Sequence, residues 1–315
     1  MVRVPKIKIV VNGADKTSSI LQNLVQLSLT DYANDNSDQI EIEIAGQFKR
    51  PKSQDEIRLY LGWDNLQLIG LFKVQNTKKS FKRMTIVGTG VDFSNNFKVK
   101  RNITYEGVKI VDIVNQIANR YNLKVKCDFN DLYIKSLAQT NESDMSFLNR
   151  IAKDYNAIFN LKNDTLYFVK KIKNSEINGL LPRYTIDINK CIGEPTIEHN
   201  EKTLYNSVKV SWHDTKLNDR RELTIPSDAG EPILIYKGNF VNEDEARAKA
   251  TAKLQKANSA VVTGELSCEG EVIFAGGIMK LLNVNEDDDL EYNIKSVRHT
   301  YSKRGGWLVD LNFEN

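Results

Sequence analysis

Residues 6–11 alternate, with Ile7, Ile9 and Val11 set against Lys6, Lys8 and Val10, and the alternation stops at Asn12-Gly13. A period of two ending on Asn-Gly predicts a strand and a tight turn. The same period recurs over residues 24–30, 39–44, 56–61, 68–75 and 83–88; in the second of these Ile40, Ile42 and Ile44 share one face and Glu41 and Glu43 the other. Short strands at regular spacing, with turns between them and no long helical pattern, predict an antiparallel barrel or sandwich up to about residue 95.

The period then changes. Ile110, Val114, Ile117 and Tyr121, with Val111 and Ala118 beside them, fall on one face of a helix over roughly 107–121, and a strand follows at 123–127. A second helix is predicted to begin near Ser143. Its apolar stripe is Phe147, Leu148, Ile151, Ala152 and Tyr155, and its polar face carries Asn149, Arg150, Lys153 and Asp154. The polar run before it, Gln139, Thr140, Asn141 and Glu142, supplies side-chain oxygens for the first-turn N–H groups, while Glu142 and Asp144 place negative charge at the positive end of the dipole. Strands at 158–161 and 166–169 around an Asn163-Asp164 turn complete an α/β unit docked on a sheet.

From Pro182 strand signals return at 206–212, 221–225 and 233–236. Asn242-x-x-Glu245 has the spacing of a capping box and opens a helix with Ala246, Ala250 and Leu254 on its buried face. Strands follow at 261–268, 279–282, 292–301 and 307–313, with Gly305-Gly306 closing the last hairpin. Residues 55–88 and 277–311 repeat one order: strand, polar loop, long strand, charged hairpin, strand. The chain therefore carries two related β units, one toward each end.

Composition adds limits. The 315 residues suffice for two or three domains, and a 41% apolar share supports real cores. The 44 basic and 41 acidic side chains nearly cancel, which does not describe a dedicated polyanion binder. Cys127, Cys191 and Cys268 lie far apart without a paired motif, arguing against disulfides and zinc sites and fitting a reducing compartment. The charged, alternating N-terminus does not read as a signal peptide, and no run reaches membrane-spanning length.

Candidate chemistry resolves into structural readings. Gly88-Thr-Gly90 follows a strand but lacks the third glycine of a dinucleotide fingerprint, and Asn95-Asn96 suits no helix there. His199, His213 and His299 are scattered through strands, so polar or half-buried strand positions outweigh metal ligands. Trp212-His213-Asp214 puts neighbours on opposite faces, and Glu286-Asp287-Asp288-Asp289 lacks the alternation and central glycine of a calcium loop. The basic clusters at Lys78, Lys79, Lys82 and Arg83 and at Lys98, Lys100 and Arg101, with Phe81 and Phe97 among them, read as hairpin and loop charge. No catalytic, cofactor-binding or metal residues are expected.

The run QTNESDMSFLNRIAKDYNAIFNLKNDTLYF resembles a motif of the phage late control D family, the baseplate hub proteins of contractile tails, and of the hub portion of type VI secretion spike (VgrG) proteins. Its motif positions are Gln139, Thr140, Asn141, Glu142, Ser143, Asp144, Phe147, Leu148 and Ile151. Collinear matches at Asn12-Gly13 with Thr17, at 27–44, 57–63, 70–74, 107–121, 246–254 and 292–299 extend it over nearly the whole chain. The resemblance implies a mainly β fold with an α+β insertion: a first tube-like β-barrel over 1–98, a small α/β domain with two helices over 99–172, and a second tube-like barrel over 173–315 with an inserted helix near 243–257. It implies a non-catalytic hub, a homotrimer forming a pseudo-sixfold ring. The partners would be a tail-tube or tube-initiator protein, a separate spike protein, other baseplate proteins and a tape-measure protein, with DNA only as passing cargo. The site of action would be the virion tail baseplate or a tail-like particle assembled in the bacterial cytoplasm, without membrane insertion. The competing reading is a DNA- or carbohydrate-binding module.

Overall fold

A computed structural model describes residues 4–33, 37–46, 48–90, 99–162, 165–171, 181–200, 204–214, 218–226, 230–238, 240, 242–259 and 262–315. The Asn163-Asp164 turn, Asn95-Asn96, Phe97, Lys98 and Val261 lie outside them. In chain order the elements are β1 (Lys6–Val11), β2 (Ala14–Asp15), α1 (Thr17–Asn23), β3 (Leu24–Tyr32), β4 (Gln39–Ala45), β5 (Glu56–Gly62), β6 (Gln67–Lys79) and β7 (Arg83–Gly90). Next come β8 (Lys100–Lys109), α2 (Ile110–Arg120), β9 (Lys124–Cys127), β10 (Tyr133–Ser143), α3 (Asp144–Asp154), β11 (Ala157–Lys162) and β12 (Thr165–Lys170). Then follow β13 (Arg183–Asp187), β14 (Thr196–His199), β15 (Ser207–Asp214), β16 (Asp219–Ile225), β17 (Ile233–Lys237) and α4 (Glu243–Ala257). The chain ends with β18 (Val262–Glu269), β19 (Ile278–Leu282), β20 (Glu291–Ser302) and β21 (Gly306–Glu314). The fold is mainly β.

The chain divides into two compact units. The first holds residues 1–94, 181–197 and 264–313; the second holds 95–180, 198–263 and 314–315.

The first unit is built on a 13-stranded sheet whose path runs β14-β18-β21-β20-β3-β4-β7-β6-β5-β1-β2, with β13 and β19 branching from β20. Alternation decides which side chains go inward. Ile40, Ile42 and Ile44 of β4 and Trp307, Val309, Leu311 and Phe313 of β21 are all buried. Asn12 and Gly13 both take positive φ, 48° and 78°, so the β1–β2 connection is the tight turn expected of Asn-Gly, with Val11 opposite Ala14.

The doubled β unit is visible in this sheet. One half has neighbours β3-β4-β7-β6-β5-β1, and the other has β14-β18-β21-β20-β19-β13, in the same sequence order and the same order of neighbours, although β1 runs antiparallel to β5 and β13 parallel to β19. The long strands β6 and β20 also share an irregularity. In β6 the buried side switches between Ile69 and Phe72, and in β20 between Ile294 and Val297. The switch in β20 falls where it leaves β19, its last pair being Ile278 with Asn293, and joins β3 from Ser296 opposite Tyr32. The two halves thus meet in one ladder.

At the core of the second half His299 is fully buried. Its Nε2 lies 3.0 Å from the Ile273 carbonyl and its Nδ1 lies 3.3 Å from Trp307 Nε1. It is a packed strand residue. Trp307 leaves no room at Gly270, where an added Cβ would sit 2.1 Å from the indole, and Trp63 Nε1 donates to the Gly270 carbonyl at 2.7 Å.

The second unit contains three small sheets: β10-β8, β11-β12-β9 and β16-β15-β17. Helix α4 covers the last, with Ala246 and Ala250 packed on Val208, Val210 and Trp212. Its N-cap is Asn242, which accepts from Glu245 N at 2.8 Å. The segment 173–315, read from sequence as one barrel with this helix inserted, is divided between the units, since β15–β17 and α4 belong to the second. They occupy the connection between β14 and β18, where the matching half has only the β3–β4 connection.

Two sequence boundaries shift. The helix expected from residue 107 begins at Ile110, because Gly107 takes φ 62°, a left-handed value incompatible with a helix, and Lys109 is extended. The polar run before α3, read from sequence as the polar start of the helix, is the end of strand β10.

Replacing Gly270 by Ala forces the Trp307 ring out of its site and is expected to lower stability by about 1–3 kcal/mol, read as a lower denaturation midpoint for the first unit.

Candidate functional site

The QTNESD run borders one buried polar cluster in the second unit, to which it contributes the buried Gln139 and Asp144. Strand β10 pairs with β8 in register from Tyr133 opposite Lys109 to Gln139 opposite Ile103, then slips and resumes at Glu142 opposite Arg101. Asn141 sits in that slip with φ 48°, its N–H donating to Asn102 Oδ1 at 2.7 Å. Asparagine tolerates this left-handed backbone better than most side chains. The slip delivers Ser143 to the N-cap of α3, where its hydroxyl accepts from Ser146 N at 3.2 Å.

Asp144, the first residue of the helix, is fully buried. Its Oδ1 accepts from Arg120 Nη1 and Gln139 Nε2, both at 2.8 Å. Its Oδ2 accepts from Tyr121 Oη at 2.6 Å and Arg101 Nε at 3.1 Å. Four donors fill the four lone-pair directions of one carboxylate. One side chain thereby ties β8, α2 and its C-cap, β10 and α3 together. With every lone pair engaged it is a clamp, and nothing remains to receive a substrate proton.

Burial pushes the Asp144 carboxyl upward, but the hydrogen bonds from Tyr121, Gln139 and Arg120, with the Arg120 charge, outweigh it and hold the group below its ordinary 3.8. The same burial and the bond to Asp144 raise the Tyr121 hydroxyl. Two guanidiniums face one carboxylate; Arg101 and Arg120 keep 32% and 21% of their side chains in solvent, which accommodates the excess cation.

The remaining motif positions divide by role. Gln139 is buried, and its amide also donates to the Glu142 carbonyl at 2.9 Å. Glu142 accepts from Arg150 at 2.9 Å, and Arg150 in turn lies over the Phe147 ring. Phe147, Leu148 and Ile151 are core, and Phe147 stacks on Tyr105 at 5.5 Å between centroids. Thr140 is exposed. The structure brings all of these together except Thr140. Arg101, Arg120, Tyr105 and Tyr121 are the partners that sequence reading did not assign. Arg101 reads as part of a basic cluster, and Tyr121 as one more apolar helix position.

The other candidates do not converge. Among the described residues no group of three or more His, Cys, Asp and Glu is placed to hold a metal ion. Lys280 pairs with Asp289 of the acidic run at 3.2 Å, and Arg83 of the first basic cluster pairs with Glu43 at 2.7 Å.

No protein-family model matches the chain. Two curated proteins do, each named a probable baseplate hub protein: that of Escherichia phage 186, 26% identical over 222 residues, and that of Escherichia phage P2, 26% identical over 226 residues. The chain is related to phage baseplate hub proteins. The matched region is 67% of this chain and 57% of each relative, so the chain spans little more than half the length of these hub proteins. The fold agrees. The tail protein from Neisseria meningitidis MC58 superimposes with a TM-score of 0.72 at 12% identity, over 99% of this chain and 97% of that one. A chain of the Francisella PdpA–VgrG complex gives 0.57 at 8% identity, over 99% of this chain and 58% of that one. The chain shares its fold with this tail protein and with a chain of the PdpA–VgrG complex.

Asp144→Ala strands two guanidiniums, an amide and a phenol, and is expected to cost about 3 kcal/mol in the unfolding of the second unit. Because the folded Asp144 titrates below its unfolded value, its contribution is complete above about pH 4 and is lost as pH falls through the lower folded value. Asp144→Asn should therefore flatten the acid limb of the stability-against-pH curve. At the strand slip, Asn141→Gly should be nearly neutral and Asn141→Val destabilising by about 1–2 kcal/mol, measured by denaturant titration.

Proposed function

We propose that the chain is the structural hub of a contractile phage-tail baseplate or a related injection machine, and that it works by joining parts, without turnover. The observation that carries this reading is the doubled strand order of the first unit. In the second half, the edge of β20 that continues past β19 is covered by β3 of the first half. The matching edge of β6 past β5, residues 75–79, has no strand on it among the described residues, where side-chain contacts alone reach it from the segment before β5, Arg50 Nε donating to Thr77 Oγ1 at 2.5 Å and Lys79 Nζ to the Phe48 carbonyl at 3.4 Å; β14, the counterpart of β3, is paired with β18 among the described residues. The backbone edge of β6 and the strand β14 are complements of each other in the way that β20 and β3 are.

A second copy satisfies both. Strand β14 of one copy would lie on the outer part of β6 of the next, repeating between copies the contact that β3 makes with β20 within one. Head-to-tail contacts of this kind close into a ring when the rotation allows. Three copies, each carrying two like halves, would present six, matching a hexameric tube on one side and a threefold spike on the other. The two halves are read as the tube-like barrels of such a ring, with a separate spike protein, tail-tube or tube-initiator protein, tape-measure protein and other baseplate proteins as partners and DNA or other cargo passing through.

The hydrogen bond from Ser80 N to the Arg83 carbonyl sets the phase of the β6–β7 ladder, so that the Thr77 N–H points away from β7 toward the open edge. Thr77→Pro is expected to remove that donor and block the edge while leaving the β6–β7 ladder intact. Light scattering of the wild type, alone and mixed with its spike protein, should give the mass of three chains, and the variant should fall toward one. A strict monomer in both conditions, with affinity for DNA or sugar, would favour a binding module instead.

A further inference from the structure

Cys191 and Cys268 are separated in sequence by residues 198–263 of the second unit, yet they are direct partners across an antiparallel bridge in the first unit. The Ile192 N–H donates to the Ser267 carbonyl at 2.7 Å, one residue beyond each cysteine, which makes Cys191–Cys268 a non-hydrogen-bonded pair. In such pairs the Cα atoms approach to about 4.5 Å and both side chains stand on the same face, inside the range a disulfide spans. Both are free thiols, Cys268 buried and Cys191 half-buried. We propose that this pair is an oxidisable site: on exposure to a small-molecule disulfide, Cys191 and Cys268 join in a cross-strand disulfide.

The position gives the bond a purpose. Cys191 lies between β13 and β14, and Cys268 lies in β18, so the two flank the connection into which β15–β17 and α4 are inserted. A bond here fastens the segment leading into the outermost strand, β14, to β18 and closes a loop of roughly 75 residues, long enough for a large constraint on the unfolded chain. This holds whatever pairs with the outer edge of β14.

The chemistry balances by exchange. The Cys191 thiolate attacks one sulfur of oxidised glutathione and releases one glutathione thiolate. The Cys268 thiolate then attacks the Cys191 sulfur and releases the second. Two protein thiols are oxidised, one small disulfide is reduced, and the two thiol protons end on the released glutathiones. Burial pushes the Cys268 thiol up to about 12 and raises that of Cys191 as well, so the more accessible Cys191 is the first nucleophile and the reaction is slow at neutral pH. Such a pair stays reduced through assembly in a reducing compartment and closes on longer exposure outside it.

Incubating the folded full-length chain with oxidised glutathione tests this. Free thiols counted after denaturation are expected to fall from three per chain to one, Cys127 blocked separately as a control, and peptide mapping should link the peptides of Cys191 and Cys268. The rate should rise about tenfold per pH unit below the thiol pKa. The oxidised protein should melt at a higher temperature than the reduced protein, a gain absent from Cys191→Ser treated alike. If both thiols remain free after prolonged incubation at alkaline pH, or if either stops as a glutathione adduct, the proposal fails. A linkage through Cys127 would overturn it too.

Discussion

The fold of the first unit depends on the requirement that a strand edge be paired. Strand β20 is long enough to outrun β19, and its last six paired residues, Ser296 to Tyr301, find their partners in Tyr32 to Leu27 of β3, more than 260 positions earlier. That ladder joins the two ends of the chain into one sheet. Without it each half would present a row of unsatisfied N–H and C=O groups, the condition that drives strands to pair with other chains. The phase switch at 294–297 makes the change of partner possible, because it re-aims the inward side chains as β20 passes from β19 to β3.

The second unit follows a different logic. Its three sheets are small, and the elements around the QTNESD run meet at a carboxylate, not at a wide apolar face. A buried ion cluster contributes less net stability than apolar packing of the same volume, but it is intolerant of partial assembly: removing any donor leaves charge without compensation. Asp144 therefore specifies how β8, α2, β10 and α3 come together. Phe147, Leu148 and Ile151 supply the apolar burial beneath it. The family-like run is thus read here as a folding device within the unit, and the joining chemistry is assigned to strand edges in the other unit.

Much of this was legible in the sequence, for physical reasons. Period-two runs such as Ile40, Ile42 and Ile44 located β4 because one face is buried and the other is not, and Asn242 with Glu245 located the start of α4 because a capping side chain has few alternatives. Strand β10 was not legible. Its residues alternate weakly, since it ends in polar groups that face a polar cluster, and they read equally well as the approach to a helix. Nor could spacing reveal that Arg101, Arg120 and Tyr121 serve Asp144, or that Cys191 meets Cys268, because these contacts are made by strand pairing and helix packing over long separations. The echo between 55–88 and 277–311 was visible as a pattern of elements, and the structure extends it to six strands with the same order of neighbours. It also shows that the strands of the two halves share one ladder.

The central claim is that the pairing rule seen once inside the chain is repeated between chains. Electron cryomicroscopy of the assembled particle tests it most directly. The account predicts a threefold ring in which β14 of each copy hydrogen-bonds to residues 75–79 of β6 in the next, so that one ladder runs unbroken around the opening. A ring whose copies touch through other surfaces, with the 75–79 edge of β6 and the outer edge of β14 left in solvent, would contradict it.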